Sequence, residues 1–137
     1  MKPSLTAVAA LLGSSLIAIA VAADPGGTVT PTFRQAIPNI PGKSLVAVTV
    51  DYPPAGKTPA HRHAPSAFIF GYVIEGEIRS QVDDEPARVY KKGESFHEVP
   101  GAHHRVSENA SGSMPAKLLA VFVVDSNEKE LTTLDAK

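Results

Sequence analysis

Two histidines one residue apart open an apolar, strand-like stretch, PAHRHAPSAFIFGYVIEGEI, at residues 59–78. Side chains alternate between the two faces of a β-strand, so His61 and His63 are expected on one face and Arg62 on the other. Neutral imidazole is the commonest metal ligand among protein side chains. The spacing therefore indicates a chelating pair for a divalent metal ion.

All five histidines of the chain lie between residues 61 and 104. His104, which follows a Pro-Gly turn, is the third candidate metal ligand. Its neighbour His103 is expected to point the opposite way and to have a surface or indirect role, and His97 is also expected to face outward. An isolated histidine is usually only a satisfied or solvated polar residue, which remains the alternative explanation for each ring.

An acidic candidate, Glu98, lies in the segment ESFHEV at residues 94–99. If the apolar Phe96 faces the interior, Glu98 shares that face and His97 lies on the other. A buried carboxylate is costly without a partner, and a metal ion held by three histidines would be such a partner. Glu98 is then a fourth ligand or a general base. The alternative is a position at the rim, where Glu98 meets solvent or Arg105.

Short β-type segments separated by turn residues follow one another from residue 44 to residue 125, without a helical period. This spacing predicts an all-β sandwich or barrel. The polar segment 126–137 is expected to form a short helix or to remain loose. The bulky side chains Phe68, Phe70, Tyr72 and Phe96 are expected in the core or around a small apolar pocket, suited to a compact organic ligand with one or two oxygens.

Two segments together resemble the paired motifs of the cupin superfamily: GKTPAHRHAPSAFIFGYVIEG at residues 56–76 and GESFHEVPGAHHRVSEN at residues 93–109. The resemblance implies a jelly-roll barrel, the double-stranded β-helix, with His61, His63 and His104 binding a divalent metal inside it. Cupins usually add a glutamate from the first motif. Here that position falls near Ala67 or Phe68, and Glu98 is the substitute that strand parity suggests.

The chain has 137 residues, 43% of them hydrophobic, and a net charge of −1, which indicates one domain and no electrostatic affinity for nucleic acid. It has no cysteine, which excludes thiol catalysis and cysteine-ligated metals. The predicted organisation is a signal peptide at 1–23, an extended arm at 24–42, a cupin barrel at 43–125 and a polar tail at 126–137.

The signal peptide predicts export to the periplasm or secretion, with no stable membrane insertion after cleavage. An uncleaved anchor is the alternative, because the apolar run is just long enough to span a bilayer. The arm is expected to pair with the sheet of a neighbouring subunit, giving a homodimer.

The residues and the resemblance together predict a metal-binding cupin that takes a small-molecule ligand. One reading is an enzyme of the dioxygenase, isomerase or lyase type, using Fe, Mn, Ni or Zn, with Glu98 as the catalytic residue. The other is a non-catalytic module that binds or senses a small molecule or a metal.

Overall fold

The computed structural model describes residues 26–136, and the secondary structure of this range consists of β-strands without a helix. The strands are β1 (Thr28–Ala36), β2 (Lys43–Tyr52), β3 (Lys57–Thr58), β4 (His61–His63), β5 (Phe68–Glu75), β6 (Glu77–Val82), β7 (Arg88–Lys91), β8 (Ser95–Glu98), β9 (His103–Asn109), β10 (Ala116–Asp125) and β11 (Thr132–Leu134). The predicted signal peptide lies outside the described residues. Within them, the chain forms no helix of the length and apolarity that a membrane crossing requires.

The strands form two antiparallel sheets that face each other across one core. The first sheet has the order β1-β2-β10-β5-β8, and the second has the order β11-β4-β9-β6-β7, with β3 also paired to β9. Successive strands often change sheet, as β5 and β6 do across Gly76. This is the predicted all-β jelly-roll, and it places strands β4 and β9 opposite strand β8.

Alternating burial along β2 and β10 builds the core. Val46, Val48 and Val50 of β2 face inward, as do Leu118 and Phe122 of β10. Full burial of such a side chain contributes about 1.5–3 kcal/mol, so this row of apolar residues is a major source of stability in a chain without cysteine.

Both ends of the described chain are incorporated into the sheets. Residues 28–36 of the predicted arm form β1, which pairs with β2 of the same chain. The polar tail is neither helical nor loose as expected, because Thr132–Leu134 forms β11 and pairs with β4, the strand that carries His61 and His63. Because the two paired segments are far apart in the sequence, the residues of the tail alone do not show that it forms a strand.

The aromatic residues of β5 were wrongly expected in the core or around the pocket. Phe68 and Phe70 are each 43% exposed and Tyr72 is 38% exposed, because they lie on the outer face of the sheet. Ile69 and Val73 are the residues of this strand that fill the core. Phe96 does face inward and packs against the core cluster.

Candidate metal centre

Strands β4 and β9 bring the three predicted histidine ligands together. His61 and His63 share a face of β4, and His104 of β9 is the direct cross-strand partner of His61. One nitrogen from each ring lies within 4.8 Å of the others, which is close enough for a single metal ion to contact all three. His63 and His104 are buried, and His61 is half-buried.

The carboxylate of Glu98 reaches this cluster from β8, in the opposite sheet. Its Oε2 lies 2.9 Å from His63 Nε2, and its Oε1 lies 3.4 Å from His104 Nδ1. Glu98 is only 3% exposed, so the alternative position at the solvated rim is wrong. Arg105, the other partner considered for Glu98, instead pairs with Asp84 at 3.0 Å.

Two atoms at the centre of the cluster are buried without a hydrogen-bond partner. They are His63 Nε2 and Glu98 Oε2, whose 2.9 Å approach lacks the alignment of a hydrogen bond. Buried polar atoms in proteins are nearly always paired, so an orphaned nitrogen and oxygen facing each other need an explanation. A cation coordinated by both atoms would satisfy them, and neutral imidazole and carboxylate are donors that divalent transition metals accept.

Hydrogen bonds outside the cluster orient two of the rings. His61 Nδ1 lies 2.8 Å from the Pro59 carbonyl oxygen, which can only accept, so Nδ1 carries the proton and Nε2 keeps its lone pair. His104 Nε2 lies 2.9 Å from Ser80 Oγ, a buried contact that the sequence did not suggest. Such contacts fix the tautomer and the ring angle of metal-binding histidines.

Burial and mutual proximity set the charges in the site. Burial lowers the pKa of His104 to about 4, although the nearby Glu98 partly opposes this shift, and burial also lowers the pKa of His61. Burial alone would raise the pKa of Glu98, but His63 and the other two histidines outweigh it, so this pKa lies below its ordinary value. Near pH 7 His104 is therefore neutral and Glu98 is ionised, which are the forms that bind metal ions.

The remaining two histidines lie outside the cluster. His103 Nε2 contacts Asp135 Oδ2 at 2.7 Å, in the segment that follows β11. His97 is exposed on the outer face of β8, where its ring stacks on Phe68 with 5.8 Å between centroids. Strand parity had indicated both orientations.

A cavity of about 440 Å³ adjoins the cluster between the two sheets. The phenol of Tyr52 is buried in its wall and forms a 2.7 Å hydrogen bond with the Ser107 hydroxyl. The ring of Phe122 lies 5.7 Å from that of His63. Tyr52 was not among the predicted site residues, yet it continues the inward row of Val46, Val48 and Val50 along β2, so parity alone could have placed it.

Residues 48–122 match the model of the cupin domain, and this range contains all four residues of the candidate metal centre. The chain belongs to the cupin family. A germin-like protein of Arabidopsis thaliana, subfamily 2 member 2, is 32% identical over 101 residues, which are 71% of this chain and 45% of that protein. This cupin therefore spans less than half the length of that relative.

Two solved structures are similar in fold. A conserved Klebsiella pneumoniae protein with a double-stranded β-helix domain has a TM-score of 0.63 at 17% identity, over 84% of this chain and 89% of that one. An oxalate oxidase has a TM-score of 0.56 at 25% identity, over 75% of this chain and 53% of that one.

This cupin has no carboxylate where the first motif of the family usually carries one. Ala67 is completely buried, and Phe68 turns outward from the sheet. The carboxylate that approaches the histidines comes from β8 instead, where Glu98 pairs in register with Ile69 of β5. A neighbouring strand thus delivers the acidic group to the same space between the sheets.

Proposed function

We propose that this chain is a metal-dependent enzyme in which His61, His63 and His104 hold one divalent ion. The 2.9 Å approach of His63 Nε2 and Glu98 Oε2, both buried and both without a hydrogen bond, carries the proposal. Fe, Mn, Ni and Zn all accept this set of nitrogen and oxygen donors. The cavity beside the cluster supports dioxygenase, isomerase or lyase chemistry on a small organic substrate.

When bound, the metal ion supplies Lewis-acid polarisation of substrate oxygens or activation of O₂. The chain itself contributes Glu98, which is ionised near pH 7 and serves either as a fourth ligand or as a general base. Core side chains such as Phe122 keep bulk water away from the rings. Similarity to an oxalate oxidase supports a small, oxygen-bearing substrate.

A non-catalytic module that binds or senses a small molecule or a metal is the second candidate, because a fold does not fix a function. Measuring substrate turnover distinguishes the enzyme from the binding module. The metal-loaded protein should be screened for oxygen uptake and product formation with small diketones, phenols and sugar acids. A saturable ligand that binds but is recovered unchanged, with no oxygen consumed, would favour the binding module.

Metal content tests the centre itself. Protein purified without a histidine tag should contain about one divalent ion per chain by elemental analysis. His61→Ala, His63→Ala and His104→Ala should each abolish tight binding, because each removes one converging nitrogen. His97→Ala is the matched control, since this exposed histidine lies outside the cluster. Equal metal content in all four variants would refute the assignment.

Export to the periplasm or beyond is part of the proposal. It is supported by the apolar segment at residues 5–23, which ends in small residues of the kind found at signal-peptide cleavage sites. Intact-mass analysis of the protein recovered after expression of the full chain should show loss of residues 1–22 or 1–23. Recovery of the full-length chain in the membrane fraction would support the anchor alternative.

We also propose that two copies associate through the outer face of the first sheet. Three registered rows of side chains cross this face, and cross-strand ion pairs bound it at both ends, Lys43 with Asp125 and Asp51 with Lys117. The rows are Gln35-Leu45-Val123-Phe68, Phe33-Ala47-Val121-Phe70-His97 and Thr30-Thr49-Leu119-Tyr72-Ser95.

A second copy is the occupant that suits this face. Its ion pairs are balanced within each chain, so a two-fold contact brings no excess of like charge together. The exposed parts of its aromatic side chains contribute roughly 80 Å² each. The half-buried aliphatic residues between them extend this apolar surface towards the roughly 800 Å² per partner that is typical of a stable interface.

A further inference from the structure

The cavity beside the candidate metal centre is largely apolar and, among the described residues that line it, contains neither lysine nor arginine. Its ionisable lining groups are the three histidines, Glu98 and Tyr52. Burial raises the pKa of Tyr52, so its phenol stays protonated near pH 7. Apart from the candidate centre, the side chains of the described lining residues therefore present apolar surface and neutral hydroxyls to a ligand.

Charge counting limits what this cavity can hold. A divalent ion together with the Glu98 carboxylate leaves a net charge of about +1 between the sheets. A ligand that is neutral or carries one negative charge suits this site. A compact dianion would leave an excess negative charge in an apolar cavity that has no further cation, which is costly.

The two ends of the described chain complete the cavity wall. Val29 and Pro31 line it from β1, and Leu131 and Leu134 line it from the β11 end. Leu134 is paired with His61, so this part of the wall is attached directly to the strand that carries two of the histidines. Val29 is 55% exposed and Leu134 is 63% exposed, which places both at the mouth, where a ligand with an apolar body would cover them.

These mouth residues lie outside the part of the chain that matches the cupin model, residues 48–122. The candidate metal centre lies within the matched part, whereas these mouth residues come from segments on either side of it. The candidate metal ligands and the mouth of the cavity therefore come from different stretches of the sequence.

We propose that the cavity selects a compact ligand with an apolar body and one oxygen-bearing end, neutral or singly charged, and that Val29 and Leu134 determine its specificity. The oxygen-bearing end would meet the metal ion, so this part rests on the proposed function. The apolar body would lie against the mouth residues. Small dicarboxylates are selected against, because no lysine or arginine is found among the described residues of the cavity wall.

Two hydroxamates test whether the apolar body and the oxygen-bearing end bind to different parts of the cavity. Benzohydroxamate and acetohydroxamate share one chelating group and differ in the apolar body. Calorimetric titration of the metal-loaded protein should show benzohydroxamate binding at least 10-fold more tightly, and more tightly than oxalate. Leu134→Asp and Val29→Asp should each reduce the ratio of the two hydroxamate affinities at least threefold. A ratio near one in the native protein, or oxalate binding as tightly as benzohydroxamate, would overturn the proposal.

Matched controls separate specificity from general damage. Met114 is as exposed as Leu134, at 63%, and Ile40 is 45% exposed, but neither lines the cavity. Met114→Asp and Ile40→Asp should leave the affinity ratio unchanged. Retention of the ratio in both mouth variants, with their folds intact by circular dichroism, contradicts the role of Val29 and Leu134.

Metal analysis before the titrations keeps the two proposals distinguishable. If the native protein takes up no divalent ion, the proposed function fails. The cavity is then tested with benzyl alcohol and metal-free protein, by chemical-shift changes in NMR spectra. Binding that is weakened threefold or more by Leu134→Asp and not by Met114→Asp supports the apolar mouth; no binding, or equal binding by both variants, overturns it.

Discussion

The chain departs from the usual first cupin motif near Ala67 and Phe68, and the position of Glu98 gives that departure a chemical meaning. The carboxylate comes from the sheet opposite the three histidines and meets them in a space that is almost closed to solvent. A carboxylate in such a place needs a cation or hydrogen-bond donors. The effect of replacing Glu98 on metal affinity is therefore the most direct test of the candidate metal centre.

Glu98→Gln should weaken metal binding by about 10-fold or more, a loss of at least ~1.4 kcal/mol, because glutamine keeps the shape but not the charge. Competition with a chelator measures this affinity. Glu94→Gln is the control, since the Glu94 carboxylate lies beside Arg88, outside the histidine cluster. If affinity holds while turnover falls by roughly 10²–10⁴, Glu98 acts as a base instead. No change in either quantity would remove Glu98 from the site.

The lowered pKa values of His104 and His61 predict that acid destabilises the metal-free protein. The pKa of His104 is about 4 in the folded chain and 6.5 in its reference state, so the unfolded chain binds more protons between these values. Stability should thus be complete above about pH 6.5 and decline towards pH 4, by about 3 kcal/mol from His104 alone. Glu98 adds to the loss at lower pH, because its folded pKa is also depressed.

Thermal unfolding at several pH values, with a chelator present, measures this dependence. His104→Gln should reduce the slope of the profile between pH 6.5 and pH 4, because glutamine does not titrate and only His61 then contributes. His97→Gln should keep the native slope, since His97 is exposed outside the cluster. A native melting temperature that is constant from pH 7 to pH 4 would contradict the prediction.

In the strands, the inward-facing residues could be predicted from the sequence where polar and apolar side chains alternate. His61 and His63 fell on the inner face, and Glu98 followed Phe96 inward, because side-chain alternation is local. The segment AFIFGYVI shows no such alternation, because apolar residues occupy the positions of both strand faces. Gly71 could have indicated which face of this strand is buried. A Cβ at this position would lie 2.6 Å from the Phe96 ring, so a glycine is needed on the face that packs against the interior.

Long-range pairing could not be predicted in the same way. Strand β11 is a short TTL segment in a polar tail, and it is held by its register with β4 rather than by its own sequence. The contact of Ser80 with His104 likewise depends on how β6 lies beside β9. The sequence motifs therefore indicated which histidines cluster, whereas the cavity wall could be identified only in the folded chain.

The turn between β5 and β6 provides a test at the same scale, because it passes the chain from one sheet to the other. Gly76 has φ of +69°, and a Cβ there would lie 2.5 Å from the Pro115 carbonyl oxygen, which is backbone. Gly76→Ala should destabilise the fold by about 1–3 kcal/mol in denaturant titration. Gly112→Ala, with no atom within 4 Å of the added Cβ, should remain within about 0.5 kcal/mol of native.

In the whole molecule, the candidate metal centre lies between the two sheets, whereas a row of exposed aromatic side chains lies on the outer face of the first sheet. Phe68, Phe70 and Tyr72 project from one strand, and Phe70 stacks with Tyr72 at 6.3 Å between centroids. Exposed apolar patches of this kind mark association surfaces in soluble proteins. Because strand β1 already pairs with β2 of its own chain, the sheet face is a broader contact than the arm pairing expected from the sequence.

The native protein should therefore be a dimer by size-exclusion chromatography with light scattering, and Phe70→Lys should convert it to a monomer. Phe70 lies in the central row of the face, where a lysine would lose its water on association without gaining a partner. Leu134→Lys is the control, because Leu134 is exposed at 63% on the other sheet. A native monomer, or a Phe70→Lys dimer as tight as the native one, would exclude this face. Metal content should be unchanged in the monomeric variant, because the candidate ligands lie on the inner side of the sheets.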